Sequence, residues 1–458
     1  MKVIQFKSIV SYTILATALC IMPIAASAQE HHAAETTPAT HTEHSVEAKS
    51  TSAAPEHAAE MTHTENHEAT TAESVHTTPH AEGGHAEHIE GVGPDGKYNP
   101  QEMIMHHIGN SNEFHIVGEH ENSISIPLPC ILWSKLDGVT TFMSSKLHHG
   151  KIAFNRYVLD HGVVGRIKDM GVFPAAETEL DEIVHEKDGE VETAYAIYKG
   201  EKFEIEKASN LTKMSSFIDF SISKNVFTML LSLLLSFWIF MTVAKRYRTN
   251  ANQAPKGIQN LFEVMINFII DEVAKPMLGV NYMKYLPFIL SAFFFILFNN
   301  LIGLIPLFPG GANVTGNLST TMALALITFL LVNLNGNRDY WKHIFWMPGV
   351  PVPMKIFLAP IEFLGVFTKP VSLMIRLFAN ITAGHIIILS LVSLIFVFGN
   401  AGQSMGGSVA GAVVAVPFTM FLNVIEIIVA FIQAFIFAIL AASYIGAATE
   451  VHAHDDHH

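Results

Sequence analysis

Ten consecutive residues, R-L-F-A-N-I-T-A-G-H from Arg376 to His385, place a guanidinium inside an otherwise uncharged apolar run from about Val371 to Phe398. At the centre of a bilayer an arginine costs roughly 2.5–3.5 kcal/mol on insertion scales and more on an isolated helix. Such a residue implies a partner within the membrane and points to an ion pathway. Asn380 lies one turn beyond Arg376 on the same helical face. His385 falls about 180° around the helix from Arg376 at 100° per residue. A later apolar run carries Asn423, Glu426 and Gln433 along one helical stripe. Imidazole titrates near neutral pH and a nearby carboxylate tunes it, so His385 and Glu426 have the chemistry of a proton relay.

These residues must be positioned by two helices folded against each other. Between them lies the small-residue loop G-N-A-G-Q-S-M-G-G-S, residues 399–408. Arg376 and Gln433 are equidistant from residues 404–405, His385 and Glu426 from residues 405–406, and the loop is centred at 403–404. The spacing predicts an antiparallel hairpin with two facing polar pairs, one deep and one nearer the outside. The helices, of about 28 and 40 residues, would span roughly 42 and 60 Å. A hydrocarbon core is only about 30 Å thick, so both are expected to tilt steeply.

Half of the 458 residues are hydrophobic and 15% are charged, but that average joins two unlike parts. Before about Ser215 the chain is polar, acidic and His-rich; beyond it come runs long enough to span a bilayer. The net charge of −14 arises largely from the first part and says little about partners of the second. A first span is predicted over Val226–Ala244, ending at Lys245, Arg246 and Arg248, which places that end in the cytoplasm. Residues 255–280 mix Ile258, Leu261, Phe262, Met265 and Ile269 with Glu263, Asp271, Glu272 and Lys275, the pattern of a surface amphipathic helix. Spans over Tyr285–Leu307 and Leu318–Leu334 follow, joined by the uncharged loop F-P-G-G-A-N-V-T-G-N. Arg338, Lys342 and Lys355 mark a second cytoplasmic stretch before the hairpin, whose last helix ends near Ala448. The expected fold is an all-α polytopic membrane domain over 216–450, with five embedded helices, the N-terminal side outside and a solvated cytoplasmic tail at 451–458.

Residues 1–28 read as a secretory signal: Lys2 and Lys7, an apolar Ile9–Ile24, then Ala26-Ser27-Ala28. Leu19 before Cys20 argues against a lipid anchor, and Cys130 is then left without an internal partner. Residues 29–97, rich in His, Glu, Ala and Thr, cannot bury enough apolar surface to order and are expected to be disordered. Their eleven histidines between His31 and His88 suit either metal buffering or a solvated tether that titrates with pH. Residues 98–215 are expected to form a compact β-rich extracytoplasmic module, with A-Y-A-I-Y, K-G-E-K and F-E-I-E-K as strand, turn and strand. In that module His106, His107, His148 and His149 read as surface residues rather than ligands.

R-L-F-A-N-I-T-A-G-H, preceded by E-F-L-G-V-F-T-K-P-V-S from Glu362 and followed by Glu426 and Gln433-A-F-I-F, resembles subunit a of the F-type ATP synthase. N-N-L-I-G-L-I-P (299–306), N-V-T-G-N-L-S-T-T-M-A-L-A (313–325) and Q-A-P-K-G-I-Q-N-L-F-E (253–263) fit the same family. Q-E-M-I-M-H-H-I-G-N (101–110) resembles its short outer segment. The resemblance covers about residues 220–450. It implies a non-catalytic stator beside a rotating ring of c subunits, with two proton half-channels that couple proton translocation to ATP synthesis. Arg376 would be the family's essential arginine, and Asn380 and Gln433 the polar residues near it. His385 and Glu426 occupy positions where many bacterial members carry a Glu and a His, so the order is reversed here. Glu362 matches an acidic position of the cytoplasmic half-channel and Lys369 a residue at that membrane edge. The implied partners are the c-ring, peripheral-stalk b subunits, the remaining complex and lipid of a bacterial inner (plasma) membrane. No nucleic-acid partner, cofactor, metal or catalytic residue is expected, and no P-loop is present. The alternatives are a sodium-coupled version of the same subunit, or a metal-ion transporter using the His-rich segment. The latter would require further ligands in the spans, where Arg376 would repel a divalent cation.

Overall fold

A computed structural model describes residues 100–450 apart from 118–123, 169–172, 175, 189–190, 209–214, 250–252, 306–310 and 401–403. The expected signal, His-rich segment and tail lie outside the described residues. What is described is mostly helical, with a β-rich region on its N-terminal side.

That region begins with α1 (Pro100–Ile108). A five-stranded antiparallel sheet then runs 157–160, 163–167, 201–207, 191–198, 182–188 in spatial order. A three-stranded sheet pairs 217–219, 129–134 and 138–143. Alternation drives these strands: in C-I-L-W-S, Cys130, Leu132 and Ser134 are buried while Trp133 is exposed. Cys130, Leu132, Leu147, Tyr157 and Phe217 form one core cluster. Burial, followed by the charge of Asp219, pushes the Cys130 thiol up to about 12, so it is an inert core residue. His148 and His149 are exposed, and His149 Nδ1 sits 3.1 Å from Glu113 Oε1.

Among the described residues five helical stretches are long and apolar enough to cross a membrane. They comprise α2 (Lys224–Thr249), a composite of α3 (Ile258–Ile269), α4 (Lys275–Leu278) and α5 (Tyr282–Gly303), then α6 (Leu318–Asn335), α8 (Val352–Phe398) and α9 (Met405–Thr449). The short α7 (Arg338–Phe345) lies between α6 and α8.

The structure departs from the sequence expectation at two boundaries. The predicted surface helix does not end before the next span: a π-helical stretch at 270–274 and a 3₁₀ turn at 279–281 carry it into α5. α8 starts at Val352 rather than Val371, because Pro360 and Pro370 are accommodated inside it. Proline breaks a solvated helix, but in apolar surroundings Ser and Thr hydroxyls can take up freed backbone groups. Beside Pro370, which leaves the Val366 carbonyl without its helical donor, Thr368 donates to the neighbouring Gly365 carbonyl at 3.1 Å.

α5 is apolar on every side and almost wholly buried, the expected state of such a helix at the centre of a bundle. Phe294 packs edge-on against Phe240 of α2 at 4.9 Å between centroids, and Phe293 against Phe431 of α9 at 5.8 Å. α9 presents Ala430, Ala434, Ala438, Ala441 and Ala442, each fully buried, small residues that let backbones approach closely. Its end is fixed by Asn337, whose backbone NH donates to Ala448 O and whose side chain donates to Thr449 O, both at 2.9 Å. By contrast α8 and the first half of α9 leave long apolar faces uncovered.

Candidate proton-pathway site

α8 and α9 run back along each other. A Cβ on Gly407 would meet Phe398 O, one on Gly411 would lie 2.9 Å from Leu394 O, and one on Gly384 would lie 2.6 Å from Glu426 Oε1. Of the two pairs expected from spacing, the structure brings one together: His385 Nδ1 lies 3.0 Å from Glu426 Oε1. The side chains are 16% and 6% exposed. The same Nδ1 is 3.1 Å from the Ile381 carbonyl, so a single ring nitrogen faces two acceptors. Among the described residues both Glu426 oxygens otherwise lack a hydrogen bond of good geometry.

The other pair stays apart. Gln433 is 5% exposed, in the interior of the bundle. Arg376 is exposed, and among the described residues no ion pair or hydrogen bond joins it to Gln433 or to any acid. It lies at one end of an open groove of about 530 Å³ on the outer side of α8, lined by Leu364, Phe367, Val371 and Ile375 with Thr368 and Ser372. Asn380 is exposed on the same side, one turn on. Asn423 donates to Thr419 O at 3.0 Å, within its own helix.

Glu362 is half-buried toward α7. Burial, and secondarily the Glu362 charge, raises the Tyr340 phenol above its usual range. Lys369 sits over the Tyr444 ring at 5.8 Å. These groups lie at the Val352 end of α8, far along it from His385.

Two features were not singled out from sequence. Gly384 provides the space that the Glu426 carboxylate occupies. A buried polar chain also runs beside the site: Thr315 donates to Asn300 Oδ1 at 2.5 Å, and Asn300 Nδ2 donates to Ala430 O at 3.2 Å, one turn from Glu426. Thr382 ties α8 to the same loop through Gly316 O at 3.3 Å. The signals were present as a glycine inside a long apolar helix and as an Asn-Asn pair in an otherwise apolar run, but only the assembled bundle gives them a location.

A family model described as the ATP synthase A chain matches residues 226–446. A second, for a domain of unknown function (DUF8433), matches residues 103–220. An ATP synthase subunit a from Chloroherpeton thalassium is 42% identical over 245 residues, 52% of this chain and 69% of the relative. The chain belongs to the ATP synthase subunit a family. An ATP synthase subunit a from Myxococcus xanthus is 39% identical over 252 residues, 53% of this chain and 78% of the relative. A relative named ATP synthase subunit a 2, from Chlorobaculum tepidum, is 42% identical over 246 residues, 52% of this chain and 66% of its own length. Members of the subunit a family are non-catalytic components of the membrane sector of the ATP synthase complex, and the chain is a multi-pass membrane protein.

Proposed function

We propose that this chain is the proton-conducting stator of its ATP synthase, with Arg376 as the gate between two half-channels and His385–Glu426 as the relay of one of them. The observation that carries the reading is the position of Arg376: a permanent cation on the uncovered apolar side of α8, with no counter-ion joined to it among the described residues. A neighbouring chain must supply the anion. In this family that partner is the carboxylate of a c subunit, moving past α8 as the ring turns. At about 4 Å and an effective dielectric near 20, the attraction is about 4 kcal/mol, enough to hold the carboxylate deprotonated while it passes. A fixed positive charge there also opposes direct passage of a proton from one half-channel to the other.

His385, which meets Glu426, stands about 180° around α8 from Arg376 at 100° per residue, so a proton can approach it without meeting the guanidinium. Gly384 gives the carboxylate its space, and the Asn300–Thr315 chain supplies uncharged hydrogen-bonding groups one turn away. Glu362, beside Tyr340 at the other end of α8, is suited to the second half-channel, with Asn380, Asn423 and Gln433 as polar neighbours of the path. α8 and α9 hold 47 and 45 residues, about 70 Å each at 1.5 Å per residue. In a bilayer core of about 30 Å they must tilt steeply or extend beyond it, which suits a pair wrapped against a round ring. The β-rich module at 98–215 then lies outside the membrane, with the peripheral-stalk b subunits among the remaining partners and the C-terminus in the cytoplasm.

The test uses inverted membrane vesicles carrying Arg376→Ala. The expected result is loss of ATP-driven acidification, with passive proton leak retained or raised once the catalytic head is stripped off. Normal pumping would overturn the assignment.

A further inference from the structure

The five-stranded sheet curls until its two edge strands meet. Asp160 ends one edge strand (157–160) and His185 lies in the other (182–188), yet His185 Nε2 is 3.2 Å from Asp160 Oδ1. His161, in the tight turn after Asp160, brings its Nδ1 to 2.9 Å from the same oxygen. His161 and Gly162 both take positive φ, at 46° and 77°, as a two-residue hairpin between right-twisted strands requires. The two imidazole rings lie 4.6 Å apart between centroids. Lys207, on an inner strand, binds the opposite carboxylate oxygen, Oδ2, at 2.9 Å. Asp160 is 2% exposed, while His161 and His185 are 53% and 25% exposed at the side chain.

We propose that Asp160, His161 and His185 form a Zn²⁺ site that fastens the two edges of this sheet together. Three observations carry it. The ligand atoms all lie within 4.8 Å of one another, two of the separations being 2.9 and 3.2 Å. Tetrahedral coordination with Zn bonds of about 2.0–2.1 Å places neighbouring ligand atoms about 3.3 Å apart, so little movement is needed. Two imidazoles and one carboxylate, with no thiolate, suit a borderline ion such as Zn²⁺ better than hard Ca²⁺ or Mg²⁺. Finally, both imidazoles converge on Oδ1 while Lys207 takes Oδ2, which leaves one oxygen for a metal and fixes the other through an outer partner. The exposure of His161 leaves a fourth position open to water or a further ligand. The site is built wholly from residues of the β-rich module.

The histidines of residues 29–97 and of the tail would bind the same ion weakly, so the test removes them. In full-length protein in detergent, with those histidines changed to Gln, equilibrium dialysis against Zn²⁺ should find one ion per chain. Adding His185→Gln should weaken that binding at least tenfold. With the triad intact, Zn²⁺ should also slow amide exchange in both 157–160 and 182–188. Failure to bind one ion, unchanged binding in His185→Gln, or unchanged exchange at the two edges would overturn the proposal. The exchange measurement needs no substitution in the triad and stands whether or not His185→Gln folds.

Discussion

Asp160 in the β module and Glu426 in α9 are both nearly buried, and each has an imidazole nitrogen at hydrogen-bonding distance, 2.9 Å from His161 and 3.0 Å from His385. Their surroundings then part company. Asp160 also meets His185 and the ammonium of Lys207. Burial alone would raise its carboxyl, but the bonds from His161 and His185, with the charge of Lys207, hold it well below the usual range. Glu426 has no fixed cation beside it among the described residues, and its one imidazole neighbour is shared with a backbone carbonyl. A buried charge costs several kcal/mol unless it is compensated. Two imidazoles and a lysine together hold Asp160 as an anion, whereas Glu426 is met by a single imidazole. Under the proposed function the first arrangement anchors a fold and the second passes a proton.

That contrast breaks most visibly at Glu426. Glu426→Gln keeps the shape and removes the titration, so ATP-driven acidification in inverted vesicles should fall on the order of a hundredfold. Pumping near the native rate would place Glu426 off the path. Gly384→Val tests the space rather than the charge: a Cβ there would lie 2.6 Å from Glu426 Oε1. Overpacking of about 1–3 kcal/mol at the relay should lower pumping roughly tenfold, while assembly measured by co-purification of the complex is kept.

On the other side of the comparison, Asp160→Asn leaves Lys207 without its anion. The module should lose roughly 3 kcal/mol, read as faster amide exchange over residues 157–167 in the full-length chain, with pumping retained. The sign with pH is fixed by the direction of the shift. A carboxyl depressed in the folded state contributes in full above its unfolded value of about 4 and loses that contribution as pH falls through the lower folded value. The part of the difference that comes from the carboxyl's own titration should therefore persist down to about pH 4 and be lost only in stronger acid.

The smallest effect is at His149. Its hydrogen bond with Glu113 raises the imidazole above its ordinary value against the opposing effect of burial. A raised imidazole stabilises in full below about pH 6.5 and loses that stability as pH rises through the folded value. The His149 side chain is 35% exposed, so screening limits the effect to about 0.5 kcal/mol. His149→Gln should speed exchange around Glu113 at pH 5.5 and leave it unchanged at pH 8.5.

Much of the membrane part was legible because apolar runs leave few alternatives: the span expected at Leu318–Leu334 is α6, and the last helix ends one residue beyond Ala448. The approach of His385 to Glu426 was also readable, since an antiparallel hairpin turns equal distances from a loop into equal depth. Other features depend on partners distant in sequence. Gly384 gains meaning only when Glu426 arrives from the facing helix. The Asn300 bond to Ala430 crosses 130 residues. The meeting of Asp160 with His185 needs the curl of a five-stranded sheet, which no local pattern encodes. The start of α8 was misplaced for a local reason: prolines that end helices in water are tolerated where the surroundings satisfy the backbone.

The most direct measurement compares passive proton leak through head-stripped vesicles carrying Arg376→Ala with leak through vesicles carrying Arg376→Ala and Glu426→Gln together. If Arg376 gates a path that runs through Glu426, the single variant leaks and the double variant is tight. Equal leak in both would mean that the protons released by losing the arginine never pass Glu426, and the relay would have to be sought elsewhere in the bundle.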